Sequence, residues 1–255
     1  VRFAAKLGFR LDPATEAPLH RLGHLLEKIP PARLFDEVLK LFLGGCAIQS
    51  FELLRHYRLF GWLFPATERC LHHQQHHYPK TLLVRALAST DSRLAENKPV
   101  QPAFLFAALL WEPLREQIRR LEADGLDEHE ALQEAAEQVI QTQIRHTALP
   151  RRYSLPMREI WELQQRLTVT TGKRALRLLD HPRFRAGYDF LLLRAEADEQ
   201  AAELADWWTR LLALDTAGRV QATQPAAKAK TGKPRRRRKA RSRKGDQAAQ
   251  PAPEA

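Results

Sequence analysis

The feature of the sequence with the clearest chemistry is a run of cations at residues 233–244, KPRRRRKARSRK. Guanidinium groups pair with phosphate oxygens in a bidentate manner, and each phosphate that is neutralised releases counterions. Blocks of like charge of this kind are usually unfolded interaction segments. The run therefore predicts RNA or DNA binding with little base selectivity. The predicted contacts are Lys233, Arg235, Arg236, Arg237, Arg238, Lys239, Arg241, Arg243 and Lys244.

A second grouping, the histidines between residues 72 and 77, has the spacing of metal ligands but has few other ligating side chains nearby. His72, His73, His76 and His77 include pairs at i, i+4, which bind a divalent ion when the segment is helical. Only Cys70 adds a possible ligand close by. We therefore predict a solvated polar loop here and no metal site.

Two pairs of carboxylates are spaced as metal-binding catalytic pairs are. Glu122 and Asp124 form one pair, and Glu196 and Asp198 form the other. On a strand, residues at i, i+2 share one face, but both pairs lie in helical patterns, where they point about 200° apart. The sequence also contains no Gly-rich phosphate loop and no nucleophile elbow. We predict no catalytic residue in this chain.

Outside the cationic run, aromatic and basic residues offer weaker candidates for contacts with nucleic acid. Tryptophans can stack on bases, but within amphipathic helices they are expected in the core. Basic pairs on helix faces or loop edges can contact phosphates, with ordinary solvated charge as an equal alternative. The tryptophans are Trp111, Trp161, Trp207 and Trp208, and the basic residues are Arg151, Arg152, Lys173, Arg174 and Arg177.

The charge of the chain is distributed very unevenly along its length. Of the formal net charge of +11, residues 217–255 carry +10 and the other 216 residues carry +1. A neutral body with a basic appendage indicates a polyanionic partner held by the appendage. Two cysteines in 255 residues form no disulfide framework, and no apolar run is long enough to span a bilayer. We therefore expect a reducing, cytoplasmic setting and no membrane contact.

The elements that must position these residues are predicted to be helices throughout. Strand and hairpin signals are missing, and good helix formers are plentiful. Gly8 is expected to end a first helix, and Asp12 to cap a second that runs over Pro13–Lys28. Further predictions are an apolar helix face at Leu34, Val38 and Leu41, a buried helix over Pro102–Asp124 that Pro113 kinks, an Asp127 cap, a Ser154 cap, and disorder after Thr216.

The first residues, VRFAAKL, read as the last turns of a helix that began earlier, and the chain does not start with Met. We therefore expect a fragment of a longer protein.

Several stretches together resemble the neck and body of bacterial poly(A) polymerases, which are class II nucleotidyltransferases related to CCA-adding tRNA enzymes. The stretches are residues 2–8 (RFAAKLG), 29–37 (IPPARLFDE), 97–106 (NKPVQPAFLF), 158–167 (REIWELQQRL) and 172–195 (GKRALRLLDHPRFRAGYDFLLLRA), followed by the basic tail. The resemblance covers essentially the whole chain. It implies an all-α array made of neck helices over 1–44, an RNA-binding body over 45–216 and a disordered basic tail over 217–255.

The resemblance also implies what lies outside this chain. Members of the family have an N-terminal catalytic head whose Asp-x-Asp pair binds two Mg²⁺ ions and ATP, and they add AMP to RNA 3′ ends by two-metal chemistry. No such pair is present here, so the chain alone is expected to hold no cofactor and to be inactive. The resemblance assigns Arg2, Arg33 and Glu37 to support of the nucleotide site, with purely structural roles as the alternative.

Two other functions stay open at this point. The chain could come from a CCA-adding enzyme, in which the body measures tRNA, or it could be a non-enzymatic helical adaptor that binds nucleic acid. The basic tail and the HPRFRA stretch at 181–186 favour the poly(A) polymerase over the CCA-adding enzyme.

Overall fold

The computed structural model describes residues 1–72, 78–196 and 198–224, and every regular element in these ranges is helical. This confirms the predicted all-α class. None of these helices combines the length and the apolar character that crossing a membrane requires. A 3-10 segment, Gly23–Lys28, follows the second α-helix. The α-helices are α1 Arg2–Leu7, α2 Pro13–Leu22, α3 Pro31–Phe42, α4 Ala47–His56, α5 Phe60–Leu63, α6 Pro65–His72, α7 Tyr78–Ala95, α8 Pro102–Leu109, α9 Trp111–Ala123, α10 Glu128–Gln143, α11 Arg151–Arg166, α12 Gly172–Leu179, α13 Phe184–Ala195, α14 Glu199–Ala213 and α15 Thr216–Ala222.

The larger hydrophobic core is built around α8, whose side chains are buried on nearly every side. Phe106 of α8 stacks on Phe35 of α3 with ring centroids 5.6 Å apart, and the Phe64 ring is tilted against it at 6.2 Å. The indole N–H of Trp161 donates to the Ala107 carbonyl at 3.1 Å, so this helix is held by a hydrogen bond as well as by packing. The predicted burial is confirmed for most of α8 and the first turn of α9, whereas the residues after Leu114 are partly or fully exposed. The predicted buried face of α3 at Leu34, Val38 and Leu41 is confirmed.

A smaller core near the carboxyl end surrounds Trp208, which is fully buried. Its indole N–H donates to the Leu167 carbonyl at 2.9 Å, and its ring lies 5.5 Å from that of Phe184. Helices α11 and α13 contribute to both cores, because residues on different sides of each helix face different clusters. On α13, for example, Phe190 belongs to the larger core and Leu191 to the smaller one.

Helices α11 and α13 approach each other closely at Gly187. A Cβ atom placed on Gly187 would lie 2.8 Å from Cδ1 and 2.9 Å from Cβ of Leu163. The side-chain amide of Gln164 donates to the Gly187 carbonyl at 3.0 Å and is itself buried. Only glycine fits this contact without moving a helix.

The structure confirms one helix end and two helix caps that were predicted from local sequence signals. Gly8 adopts the left-handed conformation that ends α1, with φ of 67°. Asp12 caps α2 by accepting from the Ala14 N–H, and Asp127 caps α10 by accepting from the N–H groups of His129 and Glu130. These predictions are confirmed because each depends only on neighbouring residues.

The predicted single helix over Pro102–Asp124 is wrong, since the structure divides it at Leu110 into α8 and α9. Proline has no N–H, so Pro113 cannot donate to the Leu109 carbonyl four residues earlier. The Thr67 hydroxyl of α6 donates to that carbonyl instead, at 2.7 Å. The helix is thus interrupted where the backbone lacks a donor. The Thr67 hydroxyl, from a distant part of the sequence, satisfies the carbonyl that is left without one.

Two other predicted helix limits are also corrected. The helix expected over Pro13–Lys28 ends at Leu22 and continues as the 3-10 segment, where buried Gly23 packs so close to Trp62 that a Cβ would lie 2.9 Å from its indole nitrogen. Ser154 does not cap α11, because that helix already begins at Arg151, after Pro150. The Ser154 N–H donates to the Pro150 carbonyl and is therefore inside the first turn.

The prediction of disorder directly after Thr216 is wrong for the residues that the structure describes, because α15 is a helix anchored to its neighbours. The Arg219 guanidinium donates to the carbonyls of Leu211 and Leu212 at the end of α14. The Gly172 N–H donates to the Thr223 carbonyl at 2.6 Å, which fixes the end of α15 beside the start of α12. These anchors are polar, so counting large apolar residues could not reveal them.

Two long-range contacts tie α3 and α4 to the rest of the helices. The Ala148 N–H donates to the Pro31 carbonyl at 3.0 Å, which joins the start of α3 to the segment before α11. The Asp91 carboxylate of α7 accepts from the N–H groups of Ala47 and Ile48, at 2.7 and 3.2 Å, and so caps α4 from another helix. The larger core runs across residue 44 without interruption, from Leu34 to Phe190. The division into neck and body at that residue stays a prediction.

Candidate nucleic-acid interface

The three residues that the resemblance singles out in the neck, Arg2, Arg33 and Glu37, lie near one another in the structure. Arg2 on α1 reaches Glu37 on α3, with 3.6 Å between the guanidinium nitrogen and the carboxylate oxygen. Both side chains are partly exposed, and Arg33 is exposed one helical turn before Glu37. Because α1 packs on α4, Arg2 is positioned by tertiary contacts and not by the α3 sequence.

A fourth residue, Lys40, completes this neck cluster and was not predicted as a member. Its ammonium group donates to Glu37 at 2.8 Å. This hydrogen bond lowers the pKa of the Glu37 carboxyl, and the positive charges of Lys40, Arg2 and Arg33 act in the same direction. The i, i+3 spacing of Glu37 and Lys40 was the signal that could have found it. The cluster carries three cations against one anion, so it can attract and position an anionic group.

Structural contacts engage Glu196 and Asp198, one of the two carboxylate pairs spaced for metal binding, and also the Cys70 thiol, which donates to Glu116. Glu196 pairs with Arg85, and Asp198 caps α14 by accepting from the N–H groups of Gln200 and Ala201. Burial raises the pKa of the Cys70 thiol to about 12, and the neighbouring Glu116 carboxylate acts in the same direction. A thiol of that pKa stays protonated and is a poor nucleophile. Among the described residues, no cluster of three His, Cys, Asp or Glu side chains could hold a metal ion.

The tryptophans are used mainly for packing, as expected from their helical context. Trp111, Trp161 and Trp208 are buried, with at most 5% of each residue exposed. Trp207 is half-buried and packs edge to face on Trp208, with centroids 4.9 Å apart. The buried rings are not available to stack on bases.

A groove of about 440 Å³ lies between the end of α7, the start of α8, and helices α11 and α13. Phe104 and Leu193 contribute apolar lining, and three arginines stand around it. Each arginine already has a partner in the protein: Arg93 donates to the Pro99 carbonyl, Arg183 pairs with Glu159, and Arg185 pairs with Asp189. The groove therefore offers little free positive charge to a nucleic acid.

The basic residues singled out on α12 and α11 are all exposed. Lys173, Arg174 and Arg177 lie on α12, whose opposite side packs in the smaller core through Ala175 and Leu178. Arg151 and Arg152 occupy the first turn of α11, about 100° apart around the helix, where Arg152 lies over the Tyr153 ring at 4.9 Å. The α12 residues share one face, whereas the α11 pair does not form a continuous row.

The predicted tail contacts at residues 233–244 lie outside the described residues, and so do His73, His76 and His77 of the histidine cluster. His72 is described at the end of α6, where its ring lies 3.0 Å from the Glu68 carboxylate. The tail contacts stay a prediction from charge and composition.

Two family models match separate parts of the chain. One, described as "Polymerase A arginine-rich C-terminus", matches residues 124–244 and includes α12 and the cationic run. The other, described as "Probable RNA and SrmB- binding site of polymerase A", matches residues 8–71 and includes Arg33, Glu37 and Lys40. Arg2 lies outside both.

Curated relatives match most of the chain. It is 41% identical over 246 residues to a protein named "Poly(A) polymerase I" from Haemophilus influenzae, a match that covers 93% of this chain and 54% of the relative. A protein of the same name from Escherichia coli O6:H1 is 40% identical over 245 residues, covering 93% of this chain and 53% of the relative. A shorter match, 38% identical over 60 residues, is to a "CCA-adding enzyme" from Bacillus cytotoxicus and covers 24% of this chain. The chain spans about half the length of the polymerases that it matches.

Proposed function

The chain belongs to the poly(A) polymerase family, and from this premise we propose that it is the RNA-holding portion of an enzyme that adds AMP from ATP to RNA 3′ ends. The observation that carries the proposal is the identity to poly(A) polymerase I, which extends over 93% of the chain. Such an enzyme acts in RNA polyadenylation, and so in mRNA processing and decay.

The geometry of the described residues supports a binding role. The neck cluster of Arg2, Arg33, Glu37 and Lys40 and the exposed cations of α12 both present positive charge to an anionic partner. The cationic run at 233–244 adds nine Lys and Arg residues. Phosphate contacts of this kind hold a strand without reading its sequence, which suits an enzyme that extends many different 3′ ends.

The chemical step is assigned to a part of the protein outside this chain. ATP and Mg²⁺ are proposed as ligands of a separate catalytic head, in keeping with the family resemblance. On this proposal the chain alone does not transfer AMP, and the neck cluster faces the nucleotide site of the head. The setting proposed for the enzyme is the cytoplasm.

The test compares this chain with a variant that lacks residues 228–244. Single-stranded RNA binding is measured by fluorescence anisotropy over a range of salt concentrations, and helix content by circular dichroism. The variant is expected to keep its helix content, bind RNA more weakly and show a flatter dependence of affinity on salt, because fewer phosphates are neutralised. Unchanged affinity and salt dependence would place RNA binding in the helices alone and refute the role of the tail.

The second arm incubates the chain with ATP, Mg²⁺ and an RNA primer. We expect no primer extension by the chain alone and extension by the full-length enzyme. Robust AMP incorporation by the chain would refute the assignment of chemistry to a separate head.

One observation favours a second candidate, namely the 38% identity to a CCA-adding enzyme over 60 residues. That match is confined to a quarter of the chain, so the polyadenylating function is preferred. The two are separated by extension assays of the full-length enzyme on tRNA and on generic RNA. A preference for tRNA and for CTP would support the second candidate.

A further inference from the structure

Helix α12 carries three exposed cations on one side, and its buried residues lie on a neighbouring side. Successive residues turn by about 100°, so Arg177 lies about 40° and Arg174 about 100° around the helix from Lys173. Ala175 and Leu178, which enter the smaller core, lie about 200° and 140° around the helix from Lys173. The three exposed cations therefore lie within an arc of about 100° and within about 6 Å along the helix axis. Lys173, Arg174 and Arg177 together form the α12 face.

The α12 face is not neutralised by the protein around it. Within the described ranges, no carboxylate lies at ion-pairing distance from any of its three side chains. The nearest acidic residue in sequence, Asp180, follows the helix and makes no ion pair with the face. Many other arginines in the described residues form ion pairs with carboxylates, as in Arg55–Glu68 and Arg158–Glu137. Uncompensated charge on a rigid helix is available to an external anion.

The α12 face also lies where the described part of the chain ends. The hydrogen bond from the Gly172 N–H to the Thr223 carbonyl places the end of α15 next to the first residue of α12. In sequence, Lys228 and Lys230 follow Gln224 by only a few residues, and the run at 233–244 comes soon after. Only a few residues of chain therefore separate the basic tail from Thr223, whose carbonyl accepts from the Gly172 N–H at the start of α12.

We propose that the α12 face binds the phosphate backbone of the same single-stranded RNA that the basic tail holds. Its side chains would each contact a phosphate, and none would read a base. This rests on the proposed RNA-holding function and adds to it a fixed site on the folded helices. A strand that engages both segments gains affinity, because binding to one raises the effective concentration of the strand at the other.

The chemistry of the α12 face favours RNA over an acidic protein partner. Protein interfaces have cores enriched in aromatic residues and depleted in Lys, whereas nucleic-acid contacts use Lys and Arg without apolar anchors. The face presents two arginines and one lysine and no large apolar side chain. An acidic polypeptide is therefore kept as an outcome of the test.

The experiment uses the full chain and the triple variant Lys173→Gln, Arg174→Gln, Arg177→Gln. The matched control is Lys98→Gln, Arg119→Gln, Arg120→Gln, which removes the same charge from three exposed residues outside both matched family segments. Binding of a fluorescent single-stranded RNA is measured at several salt concentrations. If three phosphates are lost, the slope of log affinity against log salt falls by about 2, and affinity near 0.15 M salt falls roughly 50-fold. The control is expected to change either quantity much less.

The possible results are distinct. A slope that changes equally in both triple variants means that net charge alone matters, and it overturns the proposal. An unchanged slope in the α12 variant, with weaker binding after deletion of residues 228–244, overturns the proposal but leaves the RNA-holding function in place. Failure of the unaltered chain to bind RNA overturns both. Loss of binding to a fluorescent poly-aspartate peptide, with RNA binding intact, assigns the face to an acidic protein and also overturns it.

Discussion

Replacing Gly187 with Ala tests whether the contact between α11 and α13 is as tight as the structure indicates. The added Cβ would lie 2.9 Å from Cβ of Leu163, an atom that no rotation of the Leu163 side chain can move. Carbon atoms prefer separations of about 3.5–4.0 Å, so the two helices must part by roughly 0.6–1.1 Å. That displacement also stretches the hydrogen bond from Gln164 to the Gly187 carbonyl.

The expected change in the free energy of unfolding combines two destabilising terms and one stabilising term. Overpacking of a core contact costs about 1–3 kcal/mol, and the weakened hydrogen bond costs about 1 kcal/mol. Replacing Gly by Ala inside a helix recovers about 1 kcal/mol of helix propensity. The packing terms prevail, and we expect Gly187→Ala to lower the free energy of unfolding by about 2 kcal/mol.

The assay is urea unfolding of the full chain, followed by tryptophan fluorescence, with Gly61→Ala as the matched control. A Cβ on Gly61 would lie 3.5 Å from its nearest neighbour, Cγ of Glu68, which is an ordinary contact. The control should therefore leave the unfolding midpoint unchanged or raise it. If Gly187→Ala is as stable as the unaltered chain, or gains as much as the control, the close-approach argument is wrong.

Two further predictions address the caps and the buried charges. Asp91→Ala removes the cap of α4 and should cost about 1–2 kcal/mol in urea unfolding, whereas exposed Ser92→Ala should cost little, and equal effects would contradict the capping role. Burial raises the pKa of Glu112 above 4.5 against the opposing charge of Arg115, so the folded state holds its proton more tightly than the unfolded state. Stability is then lost as pH rises from 4.5 through the raised pKa, and Glu112→Gln should gain on the unaltered chain across that window. Parallel pH–stability curves for Glu112→Gln and the unaltered chain would contradict this.

The sequence predicts best those features that depend on neighbouring residues. The buried face of α3, the left-handed Gly8 and the Asp12 and Asp127 caps are each encoded within a few residues, and the structure confirms them. The sequence also predicts correctly that Pro113 disturbs the helical segment over Pro102–Asp124. Its full effect was missed because the acceptor that it frees is satisfied by Thr67, 42 residues away in the chain.

The candidate site was predictable in composition but not in arrangement. Charge counting identified the cations of the tail, the positions of basic residues on a helix face or loop edge suggested those of α12, and the resemblance identified Arg2, Arg33 and Glu37. Neither could reveal that α1 carries Arg2 to Glu37, because that contact joins two helices through tertiary packing. The anchoring of α15 was missed for a related reason: it depends on Arg219 and on backbone groups, which leave no hydrophobic pattern.

The hydrogen bond between Ala148 and Pro31 has a mechanical consequence. It joins the start of α3 to the segment that leads directly into α11, a helix of 16 residues and therefore about 24 Å long. Packed interiors have low compressibility, and α11 is embedded in one core through Trp161 and in the other through Leu163. The start of α3 is therefore linked to both cores through α11, and Pro156, which lacks an N–H inside that helix, marks the point at which it can bend.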